Sequence, residues 1–78
     1  MKLNIDMPIH KEELQNFLEG QEKPKYVFLN KKTPLTVIYE VSDFEGIDDV
    51  PAYTKGIIKT QEFSKNLAIR VVEEGKQW

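Results

Sequence analysis

The chain has 78 residues, of which 40% are hydrophobic and 31% are charged, and its formal net charge is −2. A chain of this length and composition is expected to fold as one compact domain over residues 1–78, without material for a second core. It contains no cysteine, which excludes thiolate nucleophiles, persulfide carriers, disulfides and thiolate-bound zinc.

The charge balance and the hydrophobic pattern limit the partners that we expect. A predicted isoelectric point near 5.4 argues against a protein whose main task is to bind nucleic acid. No apolar run approaches the roughly 20 residues that span a bilayer, and the N-terminal residues lack the pattern of a secretory signal. We therefore expect a cytoplasmic protein that does not interact with membranes.

The first half of the chain predicts a strand, a helix and a hairpin. Alternating apolar residues predict a strand over Lys2–Met7. A helix over His10–Leu18 follows, because two glutamates in its first turn oppose the positive end of the helix dipole. Gly20 is expected to end it as a left-handed cap. Aromatic and β-branched residues then predict two strands, Tyr26–Leu29 and Leu35–Val41, joined by a short loop as an antiparallel pair.

The second half predicts another helix and another strand. Asp48 or Asp49 before a valine–proline pair is typical of a helix N-terminus. Residues 58–63 leave two alternatives open, because the helix either continues to about Ser64 or ends near Gly56 and is followed by a strand. Leu67–Glu73 predicts the last strand.

The order β-α-β-β-α-β, with or without an extra strand, indicates an α+β two-layer sandwich. Two helices would pack on one face of a small four-stranded sheet, mixed or antiparallel, and the exposed face would be the natural place for a ligand or partner. The apolar pattern predicts a core formed by Leu14, Phe17, Val37, Tyr39, Val50, Ile69 and Val71.

The segment Tyr39–Tyr53 resembles the second half of the small TusA/SirA-like sulfur-relay proteins, in which a strand and an acidic turn precede an Asp-Ile/Val-Pro-Ala-aromatic helix start. The resemblance extends loosely over residues 36–73. In that family a Cys-Pro-x-Pro motif opens the first helix, and the matching place here is Met7-Pro8-Ile9-His10. Met7 has no thiol that can carry a persulfide, and residues 21–34 are an insertion relative to the family. The resemblance implies at most a docking role in sulfur transfer or regulation.

No residue pattern indicates a catalytic, cofactor or metal site. His10 is the only histidine, and no nucleophile is marked for it to activate. The acidic residues of the Asp43–Asp49 segment lack the spacing of a calcium-binding EF-hand loop. We therefore expect a protein that is not an enzyme and that holds no cofactor and no metal.

Our leading interpretation is a small binding or regulatory module that acts through protein–protein contacts or self-association. A core this small is only marginally stable without a disulfide or a metal, which favours association. Trp78 is a further possible anchor for a partner. Weak binding of single-stranded nucleic acid, on a platform of Tyr26, Phe28 and Tyr39 beside lysines, is a third alternative. The candidate interaction surface consists of Lys25, Tyr26, Phe28, Lys31 and Lys32.

Overall fold

A computed structural model describes residues 1–74 of the chain. Trp78, a possible partner anchor, lies outside the described residues. The elements follow one another as β1 (Lys2–Asp6), α1 (Lys11–Glu19), β2 (Lys25–Lys31), β3 (Thr36–Ser42), α2 (Val50–Ile58), a 3₁₀ turn (Glu62–Ser64) and β4 (Arg70–Glu73).

The four strands form one antiparallel sheet in the order β2-β3-β1-β4. Strands β1 and β3 are therefore central, and β2 and β4 are the edges. Each helix connects two strands that have a third strand between them, which gives two interleaved split β-α-β units of the ferredoxin-like kind. This arrangement confirms the predicted α+β sandwich and shows that its sheet is antiparallel rather than mixed.

The core lies between the helices and one face of the sheet. Every second residue of a strand points to the same face, and the apolar members of one set are buried: Leu3, Ile5, Tyr26, Val37, Tyr39, Val41 and Val71. From the helices, Leu14, Leu18, Val50 and Ile58 complete the layer. Of the residues predicted for the core, only Phe17 is merely half-buried, and its ring lies edge-on to that of Phe63, with centroids 6.2 Å apart.

Two tyrosines in this core differ in how their hydroxyl groups are satisfied. The Tyr26 hydroxyl forms a 2.8 Å hydrogen bond with the hydroxyl of Thr54, which is itself fully buried. The Tyr39 hydroxyl is buried and has no hydrogen-bond partner among the described residues. Burial raises the pKa of both phenols, and it raises that of Tyr39 well beyond the usual range.

The helix termini confirm one capping prediction and correct another. Asp49 is the N-cap of α2, and its side chain accepts a hydrogen bond from the Ala52 N–H at 3.1 Å. Gly20, predicted to be a left-handed cap, instead has φ −82° and a right-handed conformation. The left-handed residue next to α1 is His10 at its N-terminal end, with φ 65°.

The connection after α2 follows neither predicted alternative. The helix ends at Ile58, and the chain then forms a turn and the 3₁₀ segment rather than a longer helix or a strand. Ser64 stabilises this turn, because its buried hydroxyl donates to the Ile58 carbonyl at 2.5 Å. The last strand is shorter than predicted and begins at Arg70. Within residues 1–74, no helix has the length and apolar character needed to cross a membrane.

Candidate binding face of the sheet

One face of the sheet is not covered by either helix, because both pack on the opposite face. We call it the open face. It presents the alternate residues of each strand, and these combine charged, polar and apolar side chains. They include Lys2, Asn4, Asp6, Val27, Thr36, Ile38, Glu40, Arg70 and Val72.

Ile38, Asn4 and Val72 form a row across the open face, in which Ile38 is only 8% exposed, and Val27 lies opposite Glu40 in the neighbouring row. Asn4 separates Ile38 on β3 from Val72 on β4, and Val27 stands on the edge strand with 43% of its side chain exposed. Charges of both signs border the row. Glu40 receives a 2.8 Å hydrogen bond from the terminal ammonium of Met1, which lowers the pKa of its carboxyl group. Apolar residues with a charged border are typical of a protein contact surface.

The open face contains a cleft of about 210 Å³ at the end where β4 begins. Asn4 stands in its wall and is only 2% exposed. Neither the Oδ1 nor the Nδ2 atom of Asn4 has a hydrogen-bond partner among the described residues. A buried amide without partners costs on the order of 1–3 kcal/mol, so this residue reduces the stability of the fold.

Charged groups surround the buried amide. Asp6 accepts a hydrogen bond from the Thr36 hydroxyl at 2.5 Å, which fixes its carboxylate at the rim of the cleft. Arg70 lies opposite Asp6 in the strand register, and Lys32 reaches the cleft from the hairpin. Neither cation forms an ion pair with another described residue. The cleft is therefore lined by two cations without an ion-pair partner in the described chain and by one carboxylate, and the amide of Asn4 is buried beneath them.

The structure corrects the surface that the sequence predicts for β2. Tyr26 is 2% exposed and belongs to the core, so it cannot contact a partner. Phe28 is half-buried, and its ring lies edge-on to that of Tyr39, with centroids 5.6 Å apart. Lys25, Lys31 and Lys32 are exposed as expected. The alternation of the strand explains the error, because the two aromatic side chains point toward the helices.

Strand β2 lies at the margin of the sheet, as expected, but its edge is protected against pairing. The Phe28 N–H donates to the Glu19 carboxylate of α1 at 3.2 Å. A β-bulge leaves Leu29 without a counterpart on β3. Bulges, and side chains that cover backbone groups, are common ways to prevent edge-to-edge association. These features oppose pairing of β2 with another strand. Self-association through β2 stays a prediction.

The burial of these rings also removes the predicted aromatic platform for nucleic acid. RNA-binding modules with four-stranded sheets stack bases on aromatic side chains of the uncovered face. Here Tyr26, Phe28 and Tyr39 lie on the helix-covered side, and the central strands present Asn4 and Ile38 on the open face.

The charge of the molecule is divided along the strands. Lys31, Lys32 and Arg70 lie at the hairpin end of the sheet, and the acidic turn that follows β3 lies at the other end. Three lysines are exceptions: Lys2 and Lys25 pair with Glu40 and Ser42 at the acidic end of β3, and Lys23 lies beside Asp43 in a depression near that turn. The cleft is therefore at the basic end.

The residues considered for chemistry do not assemble a site among the described residues. The Nδ1 atom of His10 lies 3.0 Å from a Glu13 carboxylate oxygen, at an exposed position. The Glu13 N–H and His10 together lower the pKa of Glu13. Residues 1–74 contain no cluster of three or more potential metal ligands. Met7, at the place of the persulfide cysteine, is fully buried.

Of the cleft residues, only Lys32 belongs to the interaction surface predicted from the sequence. Alternation with apolar residues places Asn4, Asp6 and Arg70 on the uncovered side of the sheet. Nothing else in the sequence indicates that these three residues lie together. Only the register shows that Asn4 is enclosed between Ile38 and Val72.

Comparison with known proteins gives no relative. No protein-family model matches the chain. No curated protein matches it either. The search of solved structures also gives no match. The resemblance to TusA/SirA-like proteins has no support from these comparisons and stays a prediction.

Proposed function

We propose that this chain is a small binding module without enzymatic activity, and that it contacts a partner protein through the open face of its sheet. The observation that carries the proposal is the mixed composition of that face. Val27, Ile38 and Val72 lie among charged residues on the side that the helices leave uncovered. A cytoplasmic location stays a prediction from the sequence.

The face supports this proposal better than the edge does. Val27 has an exposed apolar side chain, whereas the Glu19 carboxylate occupies the Phe28 N–H of the neighbouring edge. Docking in sulfur transfer rests on the sequence resemblance alone, and no feature of the open face favours it. Binding of single-stranded nucleic acid has less support, because Tyr26, Phe28 and Tyr39 do not lie on the open face.

Affinity capture with a matched pair of variants tests the proposal. Val27→Glu places a charge on the open face, and Tyr53→Glu places the same charge on α2, at a residue of similar exposure (43% and 40%). We expect that at least one protein is captured by the wild-type chain and by Tyr53→Glu, and is lost with Val27→Glu. Urea denaturation must show that both variants remain folded. Capture of the same proteins by all three chains would contradict the proposal.

A further inference from the structure

A row of polar side chains crosses the open face at the basic end of the sheet. The strand register places Asp6 between Thr36 on β3 and Arg70 on β4, and the Lys32 N–H donates to the Thr36 carbonyl at 2.8 Å. All four residues line the cleft. Lys32 and Arg70 therefore stand at the two ends of the row, with about 14 Å between their Cα atoms, which is three strand spacings.

The rim of the cleft has hydrogen-bond donors that the described chain does not use. Lys32 and Arg70 form no ion pair with another described residue. The Thr33 hydroxyl oxygen accepts the N–H groups of Leu35 and Thr36 at 3.1 and 3.0 Å, which uses both of its lone pairs. Its O–H has no acceptor among the described residues. Two cations and one hydroxyl therefore offer protons to a ligand.

The charge of the cleft favours a ligand with one negative charge. Of the described residues that line the cleft, only Asp6 is acidic, and its carboxylate already accepts a hydrogen bond from the Thr36 hydroxyl. Two positive charges and one negative charge leave one positive charge. An ionised carboxylate carries one negative charge and only accepts hydrogen bonds, so it matches both the charge and the donors. A cationic ligand would meet two like charges.

We infer that the cleft binds the carboxylate of an aspartate or glutamate side chain of the partner protein, which Arg70 and Lys32 contact and to which the Thr33 hydroxyl donates. This inference rests on the proposed function and adds the chemistry of the partner. A phosphodiester of a nucleic acid also carries one negative charge. However, no aromatic residue of the described chain lines the cleft to stack on a base, and the net charge of −2 repels a polyanion.

The test is a titration of the ¹⁵N-labelled protein with the peptide acetyl-Val-Glu-Val-amide, followed through the backbone amides of Thr33 and Val72 at the cleft. This peptide carries one side-chain carboxylate and no terminal charge. Its control, acetyl-Val-Gln-Val-amide, has the same shape without the charge, and a short oligothymidylate supplies phosphodiesters. We expect saturable shifts with the glutamate peptide at millimolar concentrations, and binding of the glutamine peptide that is at least about fivefold weaker. Equal binding of both peptides, no saturable shift with the glutamate peptide, or tighter binding of the oligothymidylate at these amides would overturn the inference.

Variants connect the shifts to the proposed contacts. Lys32→Gln and Arg70→Gln should each weaken binding of the glutamate peptide about two- to fivefold, because exposed charge contacts have that strength. Asp6→Asn keeps an oxygen that accepts from Thr36 and removes a like charge, so it should strengthen binding. Lys55→Gln removes an exposed lysine of α2 and should leave binding unchanged. Equal binding by the Lys32, Arg70 and Lys55 variants, or weaker binding by Asp6→Asn, would refute the inference.

Affinity capture separates this inference from the proposed function. A partner that is lost with Val27→Glu and retained with the double variant Lys32→Gln/Arg70→Gln would refute the inference and leave the proposed function intact. A partner that is lost with both chains would support both claims. Urea denaturation must show that the double variant remains folded, as we expect for two exposed positions.

Discussion

The two core tyrosines provide a matched test of the hydrogen bonding in this fold. Tyr26→Phe removes one partner of the bond to Thr54 and leaves the threonine hydroxyl buried without it. Tyr39→Phe removes a hydroxyl that has no partner in the described chain. The same chemical change should therefore lower the stability at Tyr26 and not at Tyr39.

The magnitudes follow from the cost of unsatisfied polar groups. Loss of the Tyr26–Thr54 bond should lower the free energy of unfolding by about 1–3 kcal/mol. Removal of the unpartnered Tyr39 hydroxyl should leave that free energy unchanged or raise it by about 1 kcal/mol. A domain of this length has a total stability of about 4–12 kcal/mol, so the difference between the two variants is measurable.

The pH dependence of stability supplies an independent check on Tyr39. Burial raises the pKa of its phenol in the folded state, so the unfolded chain loses its proton first, near pH 10. The stability contributed by the neutral buried phenol is fully present below about pH 10 and is lost as the pH rises through the folded-state pKa. Tyr39→Phe should therefore lose less stability than the wild-type chain above about pH 10.

Urea denaturation of the wild-type chain and both variants, at neutral pH and at increasing alkaline pH, measures these differences. Linear extrapolation gives the free energy of unfolding, and equal slopes show that the variants unfold as the wild-type chain does. Equal destabilisation by Tyr26→Phe and Tyr39→Phe would refute the reasoning, because it would show that the Tyr39 hydroxyl has a partner in the folded protein.

Urea midpoints also test three further features of the fold. Asp49→Ala removes the N-cap of α2 and should cost about 0.5–2 kcal/mol. Gly46 has φ +85°, so Gly46→Ala should cost about 1 kcal/mol, whereas Gly20→Ala should be nearly neutral because Gly20 is right-handed. Ser64→Ala removes one of the two donors to the Ile58 carbonyl, which keeps the Gln61 N–H at 3.0 Å, and should cost about 0.5–1.5 kcal/mol. Unchanged midpoints for Asp49→Ala and Ser64→Ala, or equal effects of the two alanine substitutions at glycine, would contradict these assignments.

The local pattern of the sequence predicts much of this fold. Alternating apolar residues identify β1 and β4, runs of aromatic and β-branched residues identify β2 and β3, and an acidic residue before Val50-Pro51 identifies the start of α2. The connection after Ile58 was not predictable in this way. The Ser64 hydroxyl bonds back to the end of the helix, and its own neighbours in the sequence do not signal that contact.

The candidate site was less accessible to sequence reasoning. The aromatic residues near the lysines of β2 suggested a surface, but strand alternation directs Tyr26 and Phe28 toward the helices. The alternating pattern predicts that Asn4 is an ordinary exposed strand residue. In the structure, the strand register places Ile38 and Val72 on either side of it. Its burial depends on residues far away in the chain, so no local pattern reveals it.

The central claim is that a partner protein binds the open face. Its most direct test is methyl NMR of the labelled chain, titrated with a protein recovered by the affinity capture. The account predicts that the methyl groups of Val27, Ile38 and Val72 shift or broaden first, whereas that of Ala52, exposed on α2, is unaffected. Perturbation confined to Ala52 and the other helix residues, with the three open-face residues unchanged, would contradict the account.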